Sequence, residues 1–142
     1  MKTQILVIED VPDMSQLICL YMTNAGFETT ACEKAEDALK KIEDGYIPDL
    51  ILLDLNLPGM SGFEFLKKFR ASYKPTIPVM IVSARDADDD IIEALGNGAD
   101  EFVTKPFSPK VLVAKVQARL ARLSATEASV EETIKFGPYT LF

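Results

Sequence analysis

Leu50-Ile51-Leu52-Leu53-Asp54-Leu55-Asn56-Leu57-Pro58-Gly59 is the stretch on which the fold turns. Its first four residues are apolar without alternation, the pattern of a strand buried on both faces at the centre of a parallel sheet. The run stops at the carboxylate of Asp54, passes through a loop holding Pro58, Gly59 and Gly62, and gives way to helical spacing at Phe63, Phe65, Leu66 and Phe69. The same grammar repeats on either side. Ile5 to Ile8 reads as a strand before a helix from about Asp13 to Asn24, with Met14, Leu17, Ile18 and Tyr21 on one face. Asp13 and Gln16 are read as a capping box and Gly26 as the stop. Phe27 to Ala31 is a weaker strand, and Ala35 to Asp44 a helix that turns Ala38, Leu39 and Ile42 inward before Pro48 restarts an extended chain. Val79 to Val82, entered from Pro78 and closed by Ser83, leads into a helix from about Ala87 to Leu95 that ends at Gly96 and Gly98. Phe102-Val103 is the last short strand, and Pro109 suits the first turn of a closing helix to Leu123. Strand and helix alternating in this way specify an α/β fold, a doubly wound parallel sheet with helices on both faces. In such sheets ligands gather at the carboxyl ends of the strands.

The composition narrows the chemistry. A chain of 142 residues, 48% of them hydrophobic, can bury one sizeable core but not two. A net charge of −7 argues against a grip on a phosphate backbone, so any DNA contact is expected from another domain. There is no histidine, which excludes a Ser-His-Asp triad, a Cys-His pair and histidine-ligated zinc within the chain. Cys19 and Cys32 lack the spacing of a zinc site and read as buried or idle thiols. The apolar run Ile5 to Ile8 is far too short for a signal or membrane segment, and a cytoplasmic protein without membrane contact is expected. What is left for chemistry is carboxylate, hydroxyl and lysine.

Those groups sit at the strand ends. Glu9 and Asp10 follow the first strand, Asp54 the third and Ser83 the fourth, while Lys105 lies just beyond the fifth in Thr104-Lys105-Pro106-Phe107. Singly each has a plain structural reading, since acidic pairs occupy solvated turns and Asp or Ser commonly caps a helix. Jointly they do not, because three carboxylates at one edge repel one another and raise their own pKa values unless a cation lies among them. Mg²⁺, or Mn²⁺ in its place, suits such an oxygen site.

Val7-Ile8-Glu9-Asp10, Leu52 to Gly59, Val82-Ser83-Ala84, Gly98-Ala99-Asp100-Glu101-Phe102 and Lys105-Pro106-Phe107 together resemble the receiver domains of two-component response regulators, of the OmpR/PhoB type. The resemblance covers residues 4 to 123. It implies a flavodoxin-like (βα)5 fold with strand order 2-1-3-4-5, and a phosphoryl group transferred from a sensor histidine kinase onto Asp54. It also implies Asp10, Asp54 and the backbone carbonyl of Asn56 as Mg²⁺ ligands, Glu9 acting through a metal-bound water, and Ser83 and Lys105 on the phosphoryl oxygens. Lys105-Pro106 would be cis, and Ser83 and Phe102 would form the switch. Phe102 stands where tyrosine is frequent in the family and lacks the hydroxyl bond, worth on the order of 1 kcal/mol. Beyond self-phosphorylation with Mg²⁺ and slow autodephosphorylation, no enzymatic turnover is expected.

The resemblance also implies an output surface formed by Ala87 to Leu95, Glu101 to Thr104 and Pro109 to Leu123, on which such proteins form symmetric homodimers when activated. Asp100 and Glu101 are expected to face Lys115, Arg119 and Arg122 of a second copy, with Ile91, Leu95 and Val111 as an apolar patch where charges are common. Residues 1–123 are then the receiver and the polar stretch 124–132 a linker. Thr133 to Phe142 resembles the opening hairpin of a winged-helix effector domain, which makes the chain part of a DNA-binding transcription factor. A phosphohydrolase of the haloacid dehalogenase type is the competing reading. It is disfavoured because Asp54-Leu55-Asn56 lacks the second acid, the acidic pair precedes the nucleophile, and no insertion forms a cap. A nucleotide-binding Rossmann domain fails for want of a Gly-rich loop after Ile8.

Overall fold

A computed structural model describes residues 2–72 and 77–136, with side chains described up to residue 122. Its elements are β1 (Gln4–Ile8), α1 (Pro12–Asn24), β2 (Glu28–Cys32), α2 (Ala35–Glu43), β3 (Leu50–Leu53), α3 (Gly62–Ser72), β4 (Val79–Ser83), α4 (Asp88–Gly96), β5 (Glu101–Thr104) and α5 (Pro109–Phe136). The strands form one parallel sheet in the order β2-β1-β3-β4-β5, the doubly wound order expected.

The strength of each strand's sequence signal follows its place in the sheet. Every residue of β3 and β4 is buried, whereas the edge strands β2 and β5 leave half or more of their side chains at least partly exposed. Side chains alternate across the pleat and feed two apolar layers. Leu6, Ile8, Ile51, Leu53 and Ile81 meet Ala38 and Ile42 of α2 and Phe65, Leu66 and Phe69 of α3 on one side. Ile5, Val7, Leu50, Leu52, Met80 and Val82 meet Ile18 and Met22 of α1 and Leu112 and Val116 of α5 on the other. Phe65 and Phe69, one helical turn apart, stack with ring centroids 5.7 Å apart and bind α3 to the sheet.

Three local readings are corrected. No capping box forms at Asp13 and Gln16: α1 starts at Pro12 with Val11 as an N-cap that makes no side-chain bond. Proline fills the first helical position at no hydrogen-bond cost, so Asp13 falls inside the first turn, where it favours the helix dipole. Ser83 is the last residue of β4 rather than the first beyond it. The final helix continues past Leu123 to Phe136, through 124–132 and through 133–136, where the sequence pattern predicts a linker and a strand. Between Pro109 and Gly137 the sequence holds neither proline nor glycine and is rich in Ala, Glu, Leu and Arg, so nothing local ends the helix. The rest of the expected hairpin, 137–142, lies outside the described residues. Gly26 does stop α1, with φ at +99° and its N–H donating to Thr23 O at 3.0 Å.

Candidate functional site

Strand register sets the site. Ile8 pairs with Leu53 across β1 and β3, so the residues that follow them leave the sheet at the same level. Asp54 N donates to Ile8 O at 3.0 Å and Glu9 N to Cys32 O at 3.0 Å, extending the ladder one residue beyond the strands and fixing both carboxylates. Glu9, Asp10 and Asp54 each bring a carboxylate oxygen within 4.8 Å of the others. Glu9 and Asp54 are buried and Asp10 half-buried, so the cluster opens toward solvent on the Asp10 side.

Lys105 completes it. Its Nζ donates to Glu9 Oε1 at 2.8 Å and to Asp54 Oδ2 at 3.4 Å. The Lys105-Pro106 peptide is cis, and Lys105 N donates to Ser83 O at 2.8 Å, tying this loop to the end of β4. Burial works against the Lys105 charge, but the Glu9 hydrogen bond and the Asp54 and Glu9 charges outweigh it and hold the ammonium above its ordinary pKa. The Glu9 carboxyl is pushed up chiefly by burial. Its bonds from Lys105 and from Val11 N, the latter at 3.1 Å, offset part of that, and the Asp54 charge adds to the rise. One ammonium among three ionised carboxylates leaves a net charge of −2 in a largely buried cluster, which fits a hard divalent cation.

Around this centre Ser83 is fully buried, and its Oγ accepts the N–H of Arg85 at 3.1 Å, which leaves the hydroxyl proton free to donate elsewhere. Asn56 lies in the loop beyond β3, its N–H donating to Asp54 Oδ1 at 3.2 Å. Phe102 is not at the site. It sits half-buried on β5, paired with Ile81 and packed against the α2 and α3 layer.

Two residues at the site were not singled out from the sequence. Gly62, the first residue of α3, donates its N–H to Leu55 O at 3.0 Å, and a Cβ there would strike the Asp54 carbonyl oxygen and come within 2.7 Å of Leu55 Cα. Arg85 hydrogen-bonds the Asn56 side chain with its Nε at 2.7 Å. A charged residue two places past a strand end that carries Ser83 was a signal available in the sequence.

On the face formed by α4, β5 and α5 the acids are paired within the chain. Asp100 is turned into its own chain, its Oδ2 accepting Arg70 Nη2 at 2.9 Å and Val79 N at 2.8 Å. Glu101 pairs with Lys115 at 2.7 Å and Arg119 at 3.8 Å in the same chain, so the acids expected to cross to a partner are already engaged. Arg122 remains exposed. Ile91 is half-buried, whereas Ile92 is 66% exposed, Leu95 45% and Val111 52%. The exposed large apolar side chains on this face are Ile92, Leu95 and Val111. No helix among the described residues is long and apolar enough to cross a membrane.

Comparison with known proteins agrees with this geometry. The family model described as response regulator receiver domain matches residues 5–117. The phosphate regulon transcriptional regulatory protein PhoB of Escherichia coli is 40% identical over 136 residues, covering 95% of this chain and 58% of that protein. The DNA-binding response regulator MtrA of Mycolicibacterium smegmatis is 38% identical over 122 residues, covering 86% of this chain and 52% of that protein. Among solved structures, a CheY-like receiver domain from Methanospirillum hungatei superposes with a TM-score of 0.82 at 25% identity, covering 89% of this chain and 99% of that one. The chain thus spans little more than half the length of the curated relatives it matches.

Proposed function

The chain belongs to the response regulator receiver domain family, and on that premise we propose that Asp54 is its phosphoacceptor, served by Glu9, Asp10, Ser83 and Lys105. The observation that carries this reading is the meeting of the three carboxylates with the Lys105 ammonium at one strand edge. An Asp54 carboxylate oxygen attacks the phosphorus of a phosphohistidine. The P–N bond breaks, its electron pair stays on the imidazole, and an aspartyl phosphate results. The chain has no histidine, so the donor is the sensor kinase.

Asp10, Asp54 and the Asn56 carbonyl, with Glu9 through a water, would hold a divalent cation, Mg²⁺ or Mn²⁺, which when bound would supply charge neutralisation for the incoming anion. Lys105 releases Asp54 and takes a phosphoryl oxygen, while Ser83 donates its free hydroxyl proton to another. Movement of Ser83 toward the phosphoryl group vacates space beside β5 that Phe102 turns to fill, and this carries the event to the face formed by α4, β5 and α5. The phosphorylated chain pairs there with a second copy. PhoB and MtrA are named as transcriptional and DNA-binding regulators, and the full protein's output is accordingly transcription in the cytoplasm, through a DNA-binding effector domain.

Exposure of the protein to a small acyl phosphate with Mg²⁺ is expected to add one phosphoryl group by intact mass, and none when the metal is chelated. A chain that gains no mass under these conditions overturns the reading. The dimer has its own check. Because Asp100 and Glu101 are paired internally and the exposed patch is apolar, beryllofluoride is expected to raise the sedimenting mass, and the dimer to survive high salt that would screen crossed ion pairs. Ile92→Asp is expected to abolish it. A dimer that dissolves in salt, or ignores Ile92→Asp, removes the apolar patch from the account.

A further inference from the structure

Arg85 has no part in the roles assigned so far, yet it links three elements beside the site. Its Nε donates to Asn56 Oδ1 at 2.7 Å, and its Nη1 reaches Asp90 Oδ1 and Oδ2 at 3.4 and 3.5 Å. The guanidinium carbon lies 5.7 Å from the centroid of the Phe63 ring. One side chain thus joins the loop after β3, the start of α3 and the first turn of α4. Asn56 in turn is one hydrogen bond from the phosphoacceptor, through its N–H on Asp54 Oδ1 at 3.2 Å.

The two arms are unequal. The bond to Asn56 is short, while both contacts to Asp90 lie at the outer limit of hydrogen-bond length, and the arginine is 44% exposed in its side chain. Ion pairs of that kind contribute little. Asp90 does not depend on Arg85 either, since it lies in the first turn of α4, where the helix dipole favours an acid. A phosphoryl group on Asp54 is a far stronger competitor, carrying a charge of about −1.5 to −2 and oxygens that match the planar guanidinium fork.

We propose that Arg85 is a phosphoryl ligand held in reserve: in the resting chain its guanidinium is shared between Asn56 and Asp90, and phosphorylation of Asp54 draws it off Asp90. The inference rests on Asp54 being the phosphoacceptor. It gives the first turn of α4, the helix that carries Ile92 and Leu95, a tie to the site that exists only in the resting state, so the transfer shifts α4 by its differential bonding in the two states.

The test is the affinity for beryllofluoride in the presence of Mg²⁺, read by fluorine NMR on wild type, Asp90→Asn, Arg85→Ala and the double variant, with thermal unfolding to show that all fold. Asp90→Asn removes the competitor and is expected to tighten binding roughly two- to five-fold, the scale of an exposed ion pair. Arg85→Ala is expected to weaken binding by at least that factor, and the double variant to match Arg85→Ala alone. Tightening by Asp90→Asn that persists without Arg85 would show that Asp90 acts through its general field, and would overturn the proposal. So would an Arg85→Ala variant that binds as wild type does. Wild type that binds no beryllofluoride, or binds it equally well after Asp54→Ala, overturns the Asp54 reading and the Arg85 role with it.

Discussion

Asp54→Ala is expected to gain no phosphoryl group from an acyl phosphate under conditions where wild type gains one, and to remain folded while doing so. The chemical half rests on Asp54 being the phosphoacceptor: Glu9 is equally buried and also accepts Lys105 Nζ and a following backbone N–H, but Lys105 holds it at 2.8 Å against 3.4 Å for Asp54, which leaves Asp54 the freer nucleophile. The stability half follows from the charges. Asp54 has two like charges beside it, Glu9 and Asp10, each with a carboxylate oxygen no more than 4.8 Å away. Lys105 attracts it from 3.4 Å. Without a cation, two like charges therefore face Asp54 against the single ammonium of Lys105.

The shape-conserving Asp54→Asn variant should accordingly be more stable than wild type in chelator, by something on the order of 1 kcal/mol after solvent screening. It should also lose the stabilisation that Mg²⁺ gives wild type, about 2.7 kcal/mol at a hundredfold excess over the dissociation constant. Glu9 supplies a second sign. Its folded pKa is raised, chiefly by burial and further by the Asp54 charge, so the stability it contributes at low pH is lost as pH rises through the folded value. Asp54→Asn should lessen that loss. Denaturant unfolding with and without Mg²⁺ checks both; an Asp54→Asn variant less stable than wild type in chelator, yet still stabilised by Mg²⁺, would show that the cluster is not a strained cation site.

This strain is what made the site legible in the sequence. Glu9, Asp10, Asp54 and Lys105 are unfavourable company unless an ion or an anion's counter-charge is intended, and strand ends are where a doubly wound sheet gathers such groups. The central strands were equally legible, since β1, β3 and β4 are buried on both faces and a run of apolar residues is the only pattern such burial leaves. Edge strands β2 and β5 gave weaker signals because water faces part of each. What escaped depends on approach in space. A carboxylate on the output surface reads the same whether it pairs across an interface or, like Asp100, closes on Arg70 and Val79 of its own chain. Ile91 and Ile92 are adjacent in sequence but about 100° apart around a helix, so a small error of phase exchanges the half-buried residue for the exposed one. Pro12, at the first helical position, moved the cap two positions, from Asp13 to Val11.

Gly62 is the sharpest instance, and its replacement carries the second large effect. Gly62→Ala is expected to lose roughly 1–3 kcal/mol of stability or more, the cost of forcing atoms into a packed interior. The added Cβ would meet the Asp54 carbonyl oxygen and Leu55 Cα, the latter at 2.7 Å, and both are main-chain atoms that no rotamer change can move aside. Neither side can yield easily. The chain at Asp54 continues a strand buried at the sheet's centre, and α3 is anchored by Phe65, Leu66 and Phe69, all fully buried. Part of the shift must therefore fall on the turn from Asp54 to Asn56, and a displacement near 1 Å at a reacting group costs about a hundredfold in rate. Gly96 is the matched control, with open space where its Cβ would go at the end of α4. Gly96→Ala should be neutral or stabilising by up to about 1 kcal/mol, as alanine is favoured over glycine in helices. Thermal unfolding and phosphorylation rates of the two variants separate a specific close approach from general sensitivity to added methyl groups. Equal stability and equal rates in both would mean that α3 and the Asp54 turn do not meet as closely as these contacts require.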